Sequence, residues 1–242
     1  MPRAAIVSPL RTPIGGFLRS LAPLPAEELA AHIVSSVVAK SGIDPDQIDD
    51  VVFAQSYANS EAPCIGRWAA LHAGLPISVP GCQVDRRCGG GLQAIINASM
   101  MVQTGAADVV LAGGVESMSN VEFYSTTMRR GSKAGSTVLF DRLERGRERS
   151  QPVERFGVIS GMIETAENLA RDFSISRDEA DQYSVESHRR AAAAWEAGKF
   201  NAEVVPVSIP GRKNEVQVFS KDEGIRSDCS IEALAGLRPI MA

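Results

Sequence analysis

The feature that most restricts how this chain folds is an alternation, over residues 4–112, of short apolar runs with longer stretches whose apolar residues recur at helical spacing. Residues 4–7, 50–54, 78–84 and 108–112 read as strands, and residues 25–40, 66–73 and 89–103 as helices. In the first helix Leu29, Ile33 and Val37 fall on one face, as a period of 3.6 requires. Strands that alternate with helices predict a mostly parallel sheet covered on both faces, an α/β architecture.

The pattern changes after Gly113-Gly114-Val115-Glu116-Ser117-Met118. Residues 125–154 are polar, arginine-rich and poorly periodic, which predicts an exposed excursion. Helices are expected at 161–173 and 176–197, the second opened by a capping box from Ser176 to Glu179. Short strands are expected at 204–209 and 216–220. The chain is therefore divided into residues 1–119 and an inserted-type domain over 120–242.

Bulk properties narrow the function classes. The 242 residues are 44% hydrophobic and 22% charged, with a formal net charge of -4, so general attraction to nucleic acid or to an anionic membrane is not expected. No apolar run approaches the ~20 residues that span a bilayer. The first residues lack the pattern of a signal peptide. Cys64, Cys82, Cys88 and Cys229 form no metal-ligand spacing, so no metal is expected. Scattered thiols without a secretion signal fit a cytoplasmic location.

Chemistry concentrates in Val84-Asp85-Arg86-Arg87-Cys88-Gly89-Gly90-Gly91-Leu92-Gln93-Ala94. This stretch puts a cysteine at the junction of a strand and an apolar helix, where backbone N–H groups and the positive end of the helix dipole favour a thiolate. Glycines there allow a close approach of substrate or of a facing loop. A thiolate suits acyl transfer because it exchanges one thioester for another of similar energy. Two other readings fit the same residues. Cys88 could be a small core residue beside glycines that serve helix–sheet packing. The turn could also be a phosphate cradle, although it has neither GxGxxG nor a Lys-Ser/Thr pair.

Five segments in order resemble those of the thiolase family. Arg11-Thr12-Pro13-Ile14-Gly15-Gly16-Phe17 is similar to RTPxGxF, and the Cys88 stretch to NRxCGSGLQA. The segment from Ala112 to Ser119 is similar to AGGxESMS, Thr165-Ala166-Glu167-Asn168 to TAEN, and Leu237-Arg238-Pro239 to LRP. The resemblance implies layered α/β/α halves with a loop domain inserted in the first. It implies acyl transfer to Cys88 from acyl-CoA or 3-ketoacyl-CoA, with no metal or bound organic cofactor, in a homodimer or homotetramer. By the same resemblance Met162 lines the acyl cavity and Arg226 lies near the nucleotide end of CoA.

The chain departs from the family pattern at three places. Asp85 stands for the usual Asn, Gly90 for the usual Ser, and Gly161 precedes Met162 where biosynthetic members often carry His. The family's GHP histidine, its water-positioning asparagine and its CxGGG cysteine would fall beyond residue 242. His32, His72 and His188 read as structural or surface residues rather than as the missing base. A chain ending there is expected either to belong to an acyltransferase or to be a fragment that binds CoA or a partner chain without turnover.

Overall fold

A computed structural model describes residues 3–157, 161–211 and 215–241. The chain divides into two compact units, Met1–Glu122 with Glu203–Glu223, and Phe123–Ala202 with Gly224–Ala242.

The first unit is built on a parallel sheet of order β2-β1-β3, with β1 at Asp50–Ala54, β2 at Gly81–Val84 and β3 at Val110–Gly114. β1 is the central strand. Val51 pairs with Gly81 on one side and with Leu111 on the other. Because side chains alternate along a strand, Val51 and Phe53 face one layer and Val52 and Ala54 the other. Helices α1 (Ala26–Ser41) and α2 (Ile65–His72) cover the Val51–Phe53 face through Ala30, Val34, Ile65, Ala69 and Ala70, all buried. Helix α3 (Gly90–Thr104) covers the opposite face, with Ala94 fully buried. The expected α/β fold with helices on both faces is what forms.

Local chemistry explains where these elements start and stop. Glu27 and Glu28 sit in the first turn of α1, and Gly42 ends it with φ 66°, its N–H reaching the Val38 carbonyl. The buried stripe of α1 is centred on Leu29, Ala30 and Val34, while Ile33 and Val37 lie half-buried at its margin. The Gln83 side chain accepts from the Ile65 N–H at 3.1 Å, so β2 caps α2. β3 begins at Val110 rather than 108, because the Asp49 carboxylate takes the N–H groups of Asp108 and Val109 before the ladder starts.

The expected strand at 4–7 is not present. Ile6 is 69% exposed and Val7 59%, and β3 pairs with β1 alone among the described residues. A short apolar run becomes a strand only when a ladder accepts its N–H and C=O groups, and none is formed there.

The segment 203–223 belongs to the first unit, so the second unit is interrupted rather than running unbroken from residue 120. The cause is a polar clamp on Arg11. Its guanidinium donates to Asp222 at 2.8 and 3.2 Å and to Glu203 at 2.8 Å. Its backbone exchanges hydrogen bonds of 2.9 Å with Glu203 and Val205. Asp222 also accepts from the Ile14 N–H, and Glu223 accepts from the Gly16 N–H and the Ser20 hydroxyl. Asp222 holds the Arg11 pKa above its ordinary value. The hairpin of β6 (Val207–Pro210) and β7 (Val216–Phe219) buries Val207 and Ile209 against Leu24 and Leu29.

The second unit carries β4 (Phe123–Tyr124) paired with β5 (Phe140–Asp141), and the helices α4 (Arg142–Glu148), α5 (Val153–Phe156), α6 (Met162–Asp172), α7 (Arg177–Glu196) and α8 (Ile231–Ala235). The expected capping box opens α7, with Ser176 and Glu179 each bonded to the other's backbone N–H. Arg177 joins α7 to α8 by donating to the Leu234 carbonyl at 2.7 Å.

Helix α2 comes close to the sheet at Gly66. A Cβ there would collide with the Cys82 carbonyl and come within 2.6 Å of the Val51 carbonyl, both backbone atoms that cannot step aside. Gly66→Ala is expected to cost about 3 kcal/mol by overpacking, read as a fall in the urea midpoint. Gly91→Ala, where a Cβ meets nothing within 4 Å, is the control and leaves the midpoint unchanged or slightly raised.

Candidate active site

The carboxyl ends of the three parallel strands converge on one polar cluster, the place where open α/β sheets bind ligands. β1 runs out into Gln55, Ser56 and Tyr57, β2 into Asp85 to Cys88, and β3 into Val115 and Glu116. The three ends are tied by backbone bonds. Gln55 N–H donates to the Val84 carbonyl at 3.1 Å, and Val115 N–H to the Ala54 carbonyl at 3.0 Å.

Cys88 lies in a 3-10 turn, Arg87–Gly89, that feeds directly into α3. The residue is exposed, so its reading as a small core residue does not hold. Arg87, just before it, has φ 48°, a left-handed conformation that is uncommon for a residue with a side chain. Two hydrogen bonds hold it there, beside an ion pair of its guanidinium with Asp85 Oδ2 at 3.6 Å. Its N–H donates to Asp85 Oδ1 at 2.8 Å, and its guanidinium donates to the Ser56 carbonyl at 2.9 Å.

The three glycines after Cys88 do different things. Gly90 is where α3 touches the sheet, since a Cβ would sit 2.8 Å from the Ala54 Cβ. That contact accounts for glycine in place of the family's serine. Gly91 faces open space, and Gly89 meets only the Arg86 side chain at 3.8 Å, so packing does not require glycine at either.

Glu116 completes the cluster. Its carboxylate accepts from the Ser56 N–H at 2.8 Å and the Tyr57 N–H at 3.3 Å. The residue as a whole is open to solvent, yet its carboxyl end is crowded. That desolvation pushes its pKa up, against the opposing pull of the hydrogen bonds, and Asp85 nearby adds to the rise. Beside it Gln55 is only 3% exposed, and its Oε1 has no partner among the described residues. Neither residue is legible as a site group in the sequence. The Glu116-Ser117-Met118 motif was visible, but a carboxylate that bonds backbone N–H groups some 60 positions away leaves no periodic signal.

Met162 and Arg226 belong to the second unit and Cys88 to the first. Met162 is the first residue of α6 and is 73% exposed. Arg226 is exposed, and its N–H donates to His188 Nδ1 at 3.2 Å. The other histidines also have structural partners. His32 Nε2 bonds the Pro206 carbonyl at 2.9 Å, and His72 stacks on Trp68 with centroids 4.5 Å apart. Among the described residues no group of three or more His, Cys, Asp or Glu is placed to hold a metal, and no helix is long and apolar enough to cross a membrane.

The profile described as "Thiolase, N-terminal domain" matches residues 4–242. The chain belongs to the thiolase N-terminal domain family. It is similar to a probable acetyl-CoA acyltransferase of Staphylococcus aureus, with 36% identity over 99% of this chain and 60% of the relative. It is also similar to an acetyl-CoA acetyltransferase of Chromobacterium violaceum, with 38% identity over 97% of this chain and 59% of the relative. The crystal structure of the Bacillus anthracis acetyl-CoA acetyltransferase superimposes with a TM-score of 0.88 at 35% identity, covering 97% of this chain and 58% of that one. The chain thus spans about 60% of the length of the curated relatives it matches.

Within this thiolase domain the four thiols differ in setting. Cys64 and Cys229 are half-buried, whereas Cys82 and Cys88 are exposed. Although Cys82 is exposed as a residue, partial desolvation of its thiol, with Asp50 and Cys64 adding, pushes its pKa up, so its thiolate fraction at a given pH is reduced. Limiting iodoacetamide followed by peptide mapping is expected to label Cys88 first near neutral pH, with Cys82 gaining only as pH rises. Faster labelling of Cys64, Cys82 or Cys229 at neutral pH would remove the assignment of Cys88.

Proposed function

We propose that this chain is the nucleophile-bearing part of an acetyl-CoA C-acyltransferase that makes or cleaves 3-ketoacyl-CoA through an acyl-Cys88 intermediate. The observation that carries the reading is an exposed cysteine at the carboxyl edge of a parallel sheet, at the start of α3, in a chain of the thiolase N-terminal domain family. The names of its relatives support the same reaction class.

The chemistry follows from the setting. The Cys88 thiolate attacks the thioester carbonyl of an acyl-CoA, the CoA thiolate leaves, and a second thioester forms on the protein. In cleavage the same attack on a 3-ketoacyl-CoA expels the acetyl-CoA carbanion, which must take up a proton, and CoA then collects the acyl group. The amino end of α3 places partial positive charge beside the attacked carbonyl oxygen as negative charge builds there. Because the thioester itself acidifies the α-carbon, the reading needs no metal or bound organic cofactor.

Met162 is assigned to the acyl cavity, which its exposure permits, and Arg226 to the phosphate or adenine end of CoA, which suits a solvent-facing guanidinium. Homodimer or homotetramer assembly is proposed on the family resemblance. A cytoplasmic place in fatty acid metabolism completes the proposal.

The test is acylation of the 242-residue chain by acetyl-CoA, followed by intact mass and peptide mapping. An acetyl increment on the Cys88 peptide, absent in Cys88→Ala, is expected. An increment on another cysteine, or one that survives Cys88→Ala, would overturn the reading. Steady thiolysis of acetoacetyl-CoA by this chain alone is expected to be slow, because its three histidines are engaged elsewhere and each positioned acid or base contributes ~10²–10⁴-fold.

A further inference from the structure

We propose that Glu116 is a positioning residue for Cys88, acting through the Ser56–Tyr57 turn and the Arg87 guanidinium to fix the strained backbone that presents the thiol. The proposal rests on the reading of Cys88 as nucleophile and adds to it a residue that never touches the substrate.

The chain of contacts is short and each step is polar. The carboxylate of Glu116, just past β3, takes the N–H groups of two consecutive residues, Ser56 and Tyr57, just past β1. The Tyr57 N–H shares a trans peptide with the Ser56 carbonyl, so holding it against Glu116 turns that carbonyl the opposite way, where it accepts from Arg87 Nη1 at 2.9 Å. Arg87 precedes Cys88 directly and holds the left-handed φ of 48°. A non-glycine residue in that region costs of the order of 1–3 kcal/mol and persists only where its surroundings over-determine it. Here the surroundings are the guanidinium bond to Ser56, the guanidinium's ion pair with Asp85 Oδ2 at 3.6 Å, and the N–H bond to Asp85 Oδ1. Without the first, the ordinary right-handed or extended conformations become available to Arg87, and Cys88 turns away with them.

The residue type at 116 fits this task closely. Two adjacent N–H donors ask for two acceptor oxygens on one side chain. A glutamine offers one oxygen and sets an NH₂ donor against the second N–H. The position of Glu116 is itself fixed, because Val115 N–H bonds the Ala54 carbonyl at the end of the central strand. Desolvation of its carboxyl end, with Asp85 adding, raises its pKa against the pull of these same hydrogen bonds.

The test combines amide hydrogen exchange with acylation kinetics on wild type, Glu116→Ala, Glu116→Gln, Arg87→Ala and Arg87→Lys. Glu116→Ala and Arg87→Ala are expected to speed exchange over residues 85–89 while protection within α3 and β1 stays at the wild-type level. Both should slow acetyl transfer from acetyl-CoA to Cys88 by about 10–100-fold, the scale of a small misplacement of a reacting group. Arg87→Lys keeps a donor for the Ser56 carbonyl and should recover most of the rate, and Glu116→Gln should fall between wild type and Glu116→Ala. Unchanged exchange over 85–89 in Glu116→Ala overturns the proposal, as does a loss of global stability with acylation per folded molecule unchanged. If wild type is not acylated at Cys88, the nucleophile reading fails by itself, and the exchange data still decide whether Glu116 holds the turn.

Discussion

Everything in the first unit depends on β1 being bonded on both sides. Asp50–Ala54 is the only strand of the parallel sheet with two ladders among the described residues, and it is buried on both faces. Its Val51 and Phe53 seat α1 and α2, its Ala54 seats α3 through Gly90, and its last carbonyl fixes Val115. A parallel sheet has all its carboxyl ends on one side, so a strand held this firmly also fixes where the three following loops meet. The site is a consequence of that convergence. No residue of the cluster at Ser56, Arg87, Cys88 and Glu116 is near the others by virtue of sequence alone, Arg87 and Cys88 excepted.

The second organising contact is the Arg11 clamp. An arginine with two carboxylate partners, Asp222 and Glu203, joins segments about 190 and 210 positions apart. It is partly shielded, bidentate toward Asp222, and supported by backbone bonds on both sides, the geometry in which such pairs contribute most. The RTP segment was legible as a family signature but not as a structural device. The structure gives it one: Arg11 fastens the 203–223 segment to the rest of the first unit, and the Asp222-Glu223 pair fastens the Ile14–Gly16 segment in return. The division of the chain follows from these bonds rather than from the change in sequence pattern after Met118.

Local patterns were read well where one element supplies its own reasons for existing. The helices at 26–41, 90–104 and 177–196, the central strand and the Ser176–Glu179 capping box all carry periodicity or caps within a few residues. Local pattern misleads at 4–7, where an apolar run has no ladder to join, and at 108, where Asp49 takes the first two N–H groups. Both errors concern partners that lie far away in sequence.

The sequence by itself determined the α/β class, the family and the cysteine at the strand-to-helix turn, because periodicity and short motifs are local properties of a chain. The tertiary structure alone decided that Cys88 is exposed rather than core, that Gly90 is a packing glycine, that the 203–223 segment returns to the first unit, and that Glu116 reaches the turn before the thiol. Each of these depends on which groups meet across the sheet. A side chain carries its own donors, acceptors and volume in its sequence letter, but the partner that satisfies or blocks them is assigned only when distant strands pair.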